Sequence, residues 1–129
     1  MGESMKILLC DDQAVIRDGL EMLLTLEKDF QVIGSAQDGF EAVELAAKKS
    51  PDLILMDVRM PKMTGYDACR VMKASPALKD IPVVFLSAKG QDSEIQSGLD
   101  AGAEEYLLKP FAPDQLTERV KAILAKFGK

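Results

Sequence analysis

The chain has 129 residues, of which 47% are hydrophobic and 29% are charged, and its formal net charge is −5. This length suits one folded domain rather than two. The acidic balance argues against direct binding of nucleic acid, and the sequence has no histidine, which excludes Ser-His-Asp triads and histidine-ligated metals.

The first four residues precede a second methionine, Met5, and we expect them to be a disordered lead or a cloning remnant. The N-terminus lacks the basic-then-apolar pattern of a signal peptide. No apolar run approaches the roughly 20 residues of a membrane span. We therefore expect a cytoplasmic protein that does not contact membranes.

In the first half of the chain, apolar runs alternate with helical patterns. Residues 6–10 predict a first strand that ends at Asp11 and Asp12, and residues 31–36 predict a weaker second strand. A helical pattern follows each strand, and Pro51 ends the second helix. The apolar stripes of these helices are Ile16, Leu20, Leu23 and Leu24 in the first, and Ala42, Val43, Ala46 and Ala47 in the second.

The central strand is predicted over residues 53–57, between Pro51 and Pro61. Four apolar residues in succession indicate a strand that is buried on both faces. Asp57 follows them, so its carboxylate stands where the strand ends and solvent begins. Considered alone, this carboxylate also suits a structural role in capping the next turn.

The second half of the chain repeats the alternation. A helix with Ala68, Val71 and Met72 precedes a strand over residues 82–86 that ends at Ser87. Residues 93–101 predict a short helix that Gly98 and Gly102 weaken, and Ile95 and Leu99 are expected to face inward from it. Residues 106–108 predict a last strand, which ends at Lys109. The final helix carries an apolar stripe of Leu116, Val120, Ile123, Leu124 and Phe127.

Five strands alternating with five helices predict an α/β fold with a doubly wound, five-stranded parallel sheet. Right-handed crossovers put helices on both faces, and the strand order 2-1-3-4-5 leaves the weak second strand at an edge. This is the flavodoxin-like arrangement, in which ligands bind at the carboxyl ends of the strands, between the first strand and the third.

The carboxyl ends of the predicted strands deliver five polar residues to one edge. Three carboxylates about 4 Å apart would repel by about 4 kcal/mol per pair at an effective dielectric of about 20, and an all-oxygen site that relieves this repulsion suits Mg2+. A lysine and a hydroxyl suit the oxygens of a phosphoryl group. The pattern fits phosphoryl transfer onto a carboxylate. These residues are Asp11, Asp12, Asp57, Ser87 and Lys109.

Each feature also has a structural interpretation. Asp11 and Asp12 could cap the first helix, a use worth about 1 kcal/mol. Lys109 could be a solvated surface residue, and Tyr106 an ordinary core ring. The two cysteines, Cys10 and Cys69, are expected to be buried thiols rather than a disulfide or a metal pair.

Four short segments resemble those of response-regulator receiver domains, and the resemblance covers residues 5–127. The resemblance implies that Asp57 accepts a phosphoryl group. It implies that Asp12 binds Mg2+ directly, with Mn2+ as an alternative ion, that Asp11 binds it through water, and that the backbone carbonyl of Arg59 supplies a further ligand. The segments are residues 8–12, 56–65, 85–88 and 106–111.

The resemblance further implies a switch. Ser87 would bond the phosphoryl oxygen after transfer, Lys109 would pair with it, and Tyr106 would turn inward as Ser87 moves. We expect the face of the fourth helix, fifth strand and fifth helix to change and carry the signal. The domain would assist only its own phosphorylation and dephosphorylation, so it is not expected to be an enzyme acting on other substrates.

The implied partners are a histidine kinase or phosphotransfer protein in trans, and an unknown downstream protein or an output domain that this sequence lacks. The chain would be a monomer or a phosphorylation-dependent dimer. Three other functions are weighed against this one. A metal-dependent phosphatase would need a second acid where Arg59 stands; a flavin or nucleotide binder would need a glycine-rich loop after the first strand; and a docking-only pseudo-receiver would not need the intact acids and lysine.

Overall fold

The computed structural model describes residues 4–87, 96, 98–108 and 113–128. Five parallel strands form one sheet in the order β2-β1-β3-β4-β5, which confirms the predicted fold and strand order. The strands are β1 (Met5–Cys10), β2 (Phe30–Ala36), β3 (Leu53–Asp57), β4 (Val83–Ser87) and β5 (Glu105–Leu108). The helices are α1 (Ala14–Thr25), α2 (Gly39–Lys49), α3 (Gly65–Lys73), α4, which includes residues 98–100, and α5 (Pro113–Lys126).

The sheet separates two apolar cores because successive side chains of a strand point to opposite faces. In β3, Ile54 and Met56 point to the core that includes α2 and α3 residues, whereas Leu53 and Leu55 point to the core that includes α1 and α5 residues. All four side chains are at most 1% exposed. The continuous apolar run of β3 is therefore explained by burial on both faces, as predicted.

Four helix stripes differ in part from the sequence prediction. Leu99 was expected to face inward but is 44% exposed, because Gly98, one residue earlier, occupies the inward position against Phe85 and Tyr106. Phe127 is 38% exposed because α5 ends at Lys126, so the buried stripe stops at Leu124. Ala47 of α2 and Val71 of α3, which belong to predicted apolar stripes, are also exposed. Ile95 lies outside the described residues.

Polar residues set where α2 and α3 begin. The Asp38 side chain accepts a hydrogen bond from the backbone N–H of Glu41, and Thr64 accepts one from Asp67; both are N-cap interactions. Across the described ranges, every helix is too short or too polar to cross a lipid bilayer.

Candidate functional site

Asp11 and Asp57 emerge side by side from the middle of the sheet. Cys10 of β1 pairs with Met56 of β3 in parallel register, and the residue that follows each of them in sequence is an aspartate. Neighbouring strands lie about 4.8 Å apart. The two carboxylate-bearing residues therefore leave the sheet at the same level, between the first and third strands.

The other predicted site residues lie along the same edge where the structure describes them. Asp57 pairs with Leu86 of β4, and Ser87 is the next residue of that strand, paired with Leu108 of β5. Ser87 is 3% exposed. Lys109, which follows Leu108 in sequence, lies outside the described residues, so its predicted place beside Asp57 stays a prediction.

Three hydrogen bonds hold Asp11 in place. It is 2% exposed, its Oδ1 accepts a hydrogen bond from the backbone N–H of Gln13 at 2.9 Å, and its own N–H donates to Ala36 O at 3.0 Å. The Arg17 guanidinium donates to the Asp11 carbonyl. Helix α1 begins after Gln13, which is its N-cap, so neither Asp11 nor Asp12 occupies the capping position.

Asp57 repeats the turn of Asp11. Its Oδ1 accepts a hydrogen bond from the backbone N–H of Arg59 at 2.8 Å, which is an Asx-type turn of a carboxylate onto the backbone two residues later. Val58 and Met60 in the following loop are 5% and 6% exposed. The loop after β3 is therefore anchored by apolar side chains, while the Asp57 side chain remains only partly buried.

Two glycines allow the loops around Asp57 to approach one another, a role that the sequence pattern did not indicate. The N–H of Gly65 donates to Val58 O at 3.1 Å, and that of Gly39 donates to Met63 O at 3.1 Å. A Cβ on Gly65 would stand 2.6 Å from Asp57 O, and one on Gly39 would overlap Met63. Glycine as the first residue of a helix, where its propensity is poor, was the available signal.

The predicted switch residue Tyr106 pairs with Phe85 across β4 and β5. Its ring is partly buried and meets the Phe85 ring edge-to-face, with centroids 6.2 Å apart and an interplanar angle of 67°. A Cβ on Gly98 would stand 2.8 Å from the Tyr106 ring. Tyr106 thus packs between β4 and α4.

The oxygen-bearing residues at the carboxyl ends of β1 and β3 have the chemistry that a hard cation prefers, although they do not surround a site completely. Within the described ranges, no group of three or more His, Cys, Asp or Glu side chains is arranged to hold a metal ion, and the Asp12 side chain is exposed. Mg2+ keeps several waters and is usually held by one or two carboxylates. The donors predicted from sequence, namely Asp11, Asp12, Asp57 and the Arg59 backbone, all offer oxygen atoms, which suit Mg2+, and the set lacks the thiolate and imidazole ligands that Zn2+ prefers.

Cys10, which precedes Asp11 in sequence, is one of the buried core residues next to the carboxylates. Burial raises the pKa of the Cys10 thiol far above its usual value, and the neighbouring charges of Glu41 and Asp11 act in the same direction. The thiol is free and buried. It therefore stays neutral and leaves the chemistry of this edge to oxygen donors.

Comparison with protein families gives one match that covers most of the chain. Residues 7–121 match the family described as response regulator receiver domain. The match includes β1 from Ile7 onward, the other four strands and every described residue of the site.

Among curated proteins, the chain is similar to the response regulator MprA of Mycobacterium leprae, with 38% identity over 122 residues, which are 95% of this chain and 52% of that protein. It is also similar to a protein of Guillardia theta named probable transcriptional regulator ycf27, with 37% identity over 124 residues, which are 96% of this chain and 47% of that protein. The chain thus spans about half the length of these relatives.

Among solved structures, the chain resembles the chemotaxis response regulator CheY4 of Vibrio cholerae, with 31% identity and a TM-score of 0.84 over 93% of this chain and 98% of that one. It also resembles the signal receiver domain of a signal transduction histidine kinase from Syntrophus aciditrophicus, with 32% identity and a TM-score of 0.86 over 95% and 92% of the two chains.

Proposed function

Because this chain belongs to the family of response regulator receiver domains, we propose that Asp57 is its phosphoacceptor and that a phosphohistidine of a partner histidine kinase or phosphotransfer protein is the donor. The observation that supports this most is the placement of Asp57 at the end of buried β3, next to Asp11 in register. Asp57 is the last residue of the central strand β3, whereas Asp11 and Asp12 follow the last residue of β1.

In the transfer, an oxygen of the Asp57 carboxylate attacks phosphorus. The bond from phosphorus to the imidazole nitrogen breaks, its electron pair goes to the imidazole, and the imidazole takes a proton from solvent. The product is an acyl phosphate. The hydrogen bond from the Arg59 N–H to Oδ1 orients the carboxylate and restrains its rotation before the donor arrives.

Asp12, Asp11 and the Arg59 carbonyl would hold Mg2+, or Mn2+ in its place, with Asp57 as a further ligand. When bound, the ion neutralises negative charge on the phosphoryl group during transfer. The Lys109 ammonium would pair with one phosphoryl oxygen, and the Ser87 hydroxyl would donate to another. The ordered backbone around Asp11 supports this role because its carboxylate does not have to reorganise.

After transfer, Ser87 moves toward the phosphoryl group and Tyr106 turns inward, changing the face formed by α4, β5 and α5. This face would signal to a downstream protein or to an output domain, and the chain would act as a monomer or as a phosphorylation-dependent dimer. The receiver domain would span residues 5–127 and follow a short lead. It would act in the cytoplasm. Two free, buried thiols suit a reducing compartment.

The test is incubation with acetyl phosphate and Mg2+, followed by intact-mass measurement. We expect a mass increase of one phosphoryl group that requires Mg2+ and is lost in Asp57→Asn. The matched control is Asp52→Asn, at the opposite end of β3, where the side chain accepts a hydrogen bond from Lys6 N. Turnover of many acetyl phosphate molecules by a protein that never gains mass would instead indicate a phosphatase.

The switch has its own test. Amide hydrogen exchange of residues 88–106 is compared with and without beryllofluoride and Mg2+, a mimic of the phosphoryl group. We expect exchange in this range to change on addition of the mimic. Identical exchange, in a protein that is phosphorylated on Asp57, would refute the proposed output face while leaving the phosphoacceptor role intact.

A further inference from the structure

Tyr66 adds a third ring to the cluster around Tyr106. Its ring meets Phe85 edge-to-face, with centroids 5.2 Å apart and an interplanar angle of 75°. Its hydroxyl lies 3.2 Å from the hydroxyl of Tyr106. The two tyrosines therefore contact the same phenylalanine and meet at their hydroxyl groups, where one donates a hydrogen bond to the other.

Tyr66 is also next to the backbone that carries Asp57. It follows Gly65, whose N–H donates to Val58 O and whose Cα leaves no room for a side chain beside Asp57 O. A displacement of the backbone at Asp57 or Val58 is therefore passed to Gly65 and to the first turn of α3. Tyr66 lies in that turn, so a movement of the loop after Asp57 also moves the Tyr66 hydroxyl.

The ring of Tyr106 is confined on its other side by α4. A Cβ on Gly98 would stand 2.8 Å from Cδ2 of Tyr106 and 3.0 Å from a ring atom of Phe85. Between Gly98 and Phe85 the ring has little space to shift. The hydroxyl of Tyr106 is hydrogen-bonded to that of Tyr66, so this bond contributes to holding Tyr106 in its position.

We propose that Tyr66 is a positioning residue for the switch, and that its hydroxyl holds Tyr106 packed against Phe85. The inference deepens the proposed function and rests on the role given there to Tyr106. Loss of the hydroxyl at residue 66 shifts the equilibrium between the Tyr106 ring packed against Phe85 and the ring exposed to solvent. The shift toward the exposed ring is about fivefold, the effect of one net hydrogen bond. Asp57 can still be phosphorylated in Tyr66→Phe, since Tyr66 lies outside the metal and phosphoryl site.

The chain suits a direct measurement because it contains only two tyrosines, Tyr66 and Tyr106, and no tryptophan. Labelling with 3-fluorotyrosine gives two fluorine NMR signals, and each is assigned by its loss in Tyr66→Phe or Tyr106→Phe. In Tyr66→Phe the remaining signal reports Tyr106 alone. We expect that signal to move toward the value of an exposed tyrosine, both in the free protein and with beryllofluoride and Mg2+.

A double-mutant cycle separates the hydrogen bond from general destabilisation. Tyr66→Phe, Tyr106→Phe and the double variant keep every ring, so the unfolding equilibrium of the free protein isolates the hydroxyl pair. We expect a coupling of about fivefold, so that Tyr66→Phe has a smaller effect when residue 106 is already phenylalanine. A coupling near onefold, with an unchanged Tyr106 signal, overturns the inference.

This result does not depend on whether Asp57 is phosphorylated. If the wild-type protein takes up no phosphoryl group, the proposed function fails while the coupling in the free protein is still measured. If the wild-type protein is phosphorylated and the coupling is absent, the role of Tyr66 fails and the phosphoacceptor role stands.

Discussion

Gly65 lies so close to Asp57 that a Cβ on Gly65 would stand 2.6 Å from the backbone oxygen of Asp57 and 2.9 Å from Cα of Val58. Both neighbours are backbone atoms, so no side-chain rotation can relieve the contact. The loop after β3 can therefore close onto its own strand only if residue 65 has no side chain, and the position of the Asp57 carboxylate depends on that closure.

The first prediction is that Gly65→Ala damages both stability and phosphorylation. The added methyl group must push the backbone at Asp57 or open the loop, and overpacking of this kind costs about 1–3 kcal/mol. We expect a lower urea midpoint and a lower yield of phosphorylated protein with acetyl phosphate. The control is Gly19→Ala in α1, where a Cβ meets nothing within 4 Å; there, a helical alanine should stabilise by up to about 1 kcal/mol.

If Gly65→Ala unfolds at the wild-type urea concentration and is phosphorylated to the same extent, the close approach of Gly65 to Asp57 affects neither stability nor phosphorylation. Loss of stability with an unchanged yield of phosphorylation would mean that the loop is a packing element that does not position Asp57.

The second prediction concerns the two neighbouring acids, which differ in burial. Asp12 is exposed and Asp11 is 2% exposed with Oδ1 bonded to Gln13 N. Asp12→Ala should leave the free energy of unfolding without metal within about 0.5 kcal/mol of wild type, yet raise the Mg2+ concentration for half-maximal phosphorylation about tenfold, because Mg2+ sites use few carboxylates.

Asp11→Ala should differ from Asp12→Ala by also destabilising the metal-free protein, by about 1 kcal/mol for the lost hydrogen bond. Urea unfolding without Mg2+ and acetyl phosphate labelling across a Mg2+ titration measure the two effects separately. An unchanged Mg2+ requirement in Asp12→Ala would remove that residue from the metal site.

The sheet could be predicted from sequence because its information is local. Each strand is a short apolar run bounded by a polar residue, as in Leu53–Asp57, and parallel pairing brings such ends to one edge. The strand order followed from placing the weakest run outermost. These are properties of single segments, so a pattern of about five residues sufficed for each.

The contacts around Tyr106 could not be predicted in this way because they join segments that are far apart in sequence. The bond between Tyr66 and Tyr106 spans 40 residues, and no spacing rule connects α3 to β5. Gly98 was interpreted as a residue that weakens its helix, whereas the structure shows it giving space to the Tyr106 ring. The inward assignment of Leu99 failed for the same reason.

The third prediction concerns the thiols. Burial raises the pKa of Cys69 from 9.0 to about 11, with Glu104 adding to the rise and Lys73 and Arg70 opposing it. Burial raises the pKa of Cys10 further. At pH 8 only about one Cys69 thiol in a thousand is then ionised, and the thiolate is the reactive form. Iodoacetamide should label neither cysteine until the protein unfolds.

The same shift fixes the sign of a pH effect. The unfolded thiol ionises above pH 9 while the folded one keeps its proton, so the stability that Cys69 contributes is complete below pH 9 and is lost as the pH rises toward 11. Urea unfolding from pH 7.5 to 11 measures it, and the difference between wild type and Cys69→Ala isolates this thiol from the lysines. Parallel curves for the two proteins would contradict the assignment.

The fourth prediction concerns Lys73, which connects α3 to the beginning of β5. Its Nζ donates to both carboxylate oxygens of Glu104, at 3.2 and 3.0 Å, and to Ile81 O at 2.9 Å. Glu104 in turn accepts from Val83 N at 2.7 Å. The side chains of Lys73 and Glu104 are only 17% and 23% exposed, so removing either partner leaves a poorly solvated charge.

We expect Lys73→Met to cost about 2–3 kcal/mol in urea unfolding, somewhat below the loss for a fully buried pair. The matched control is Lys48→Met, whose partner Glu44 lies 3.7 Å away in a pair that is about two-thirds exposed; it should cost less than about 0.5 kcal/mol. The double variant Lys73→Met/Glu104→Gln should cost less than the sum of the single changes, because neither charge is then left alone. Equal costs for Lys73→Met and Lys48→Met would show that this ion pair does not hold β5, and thus Tyr106, in place.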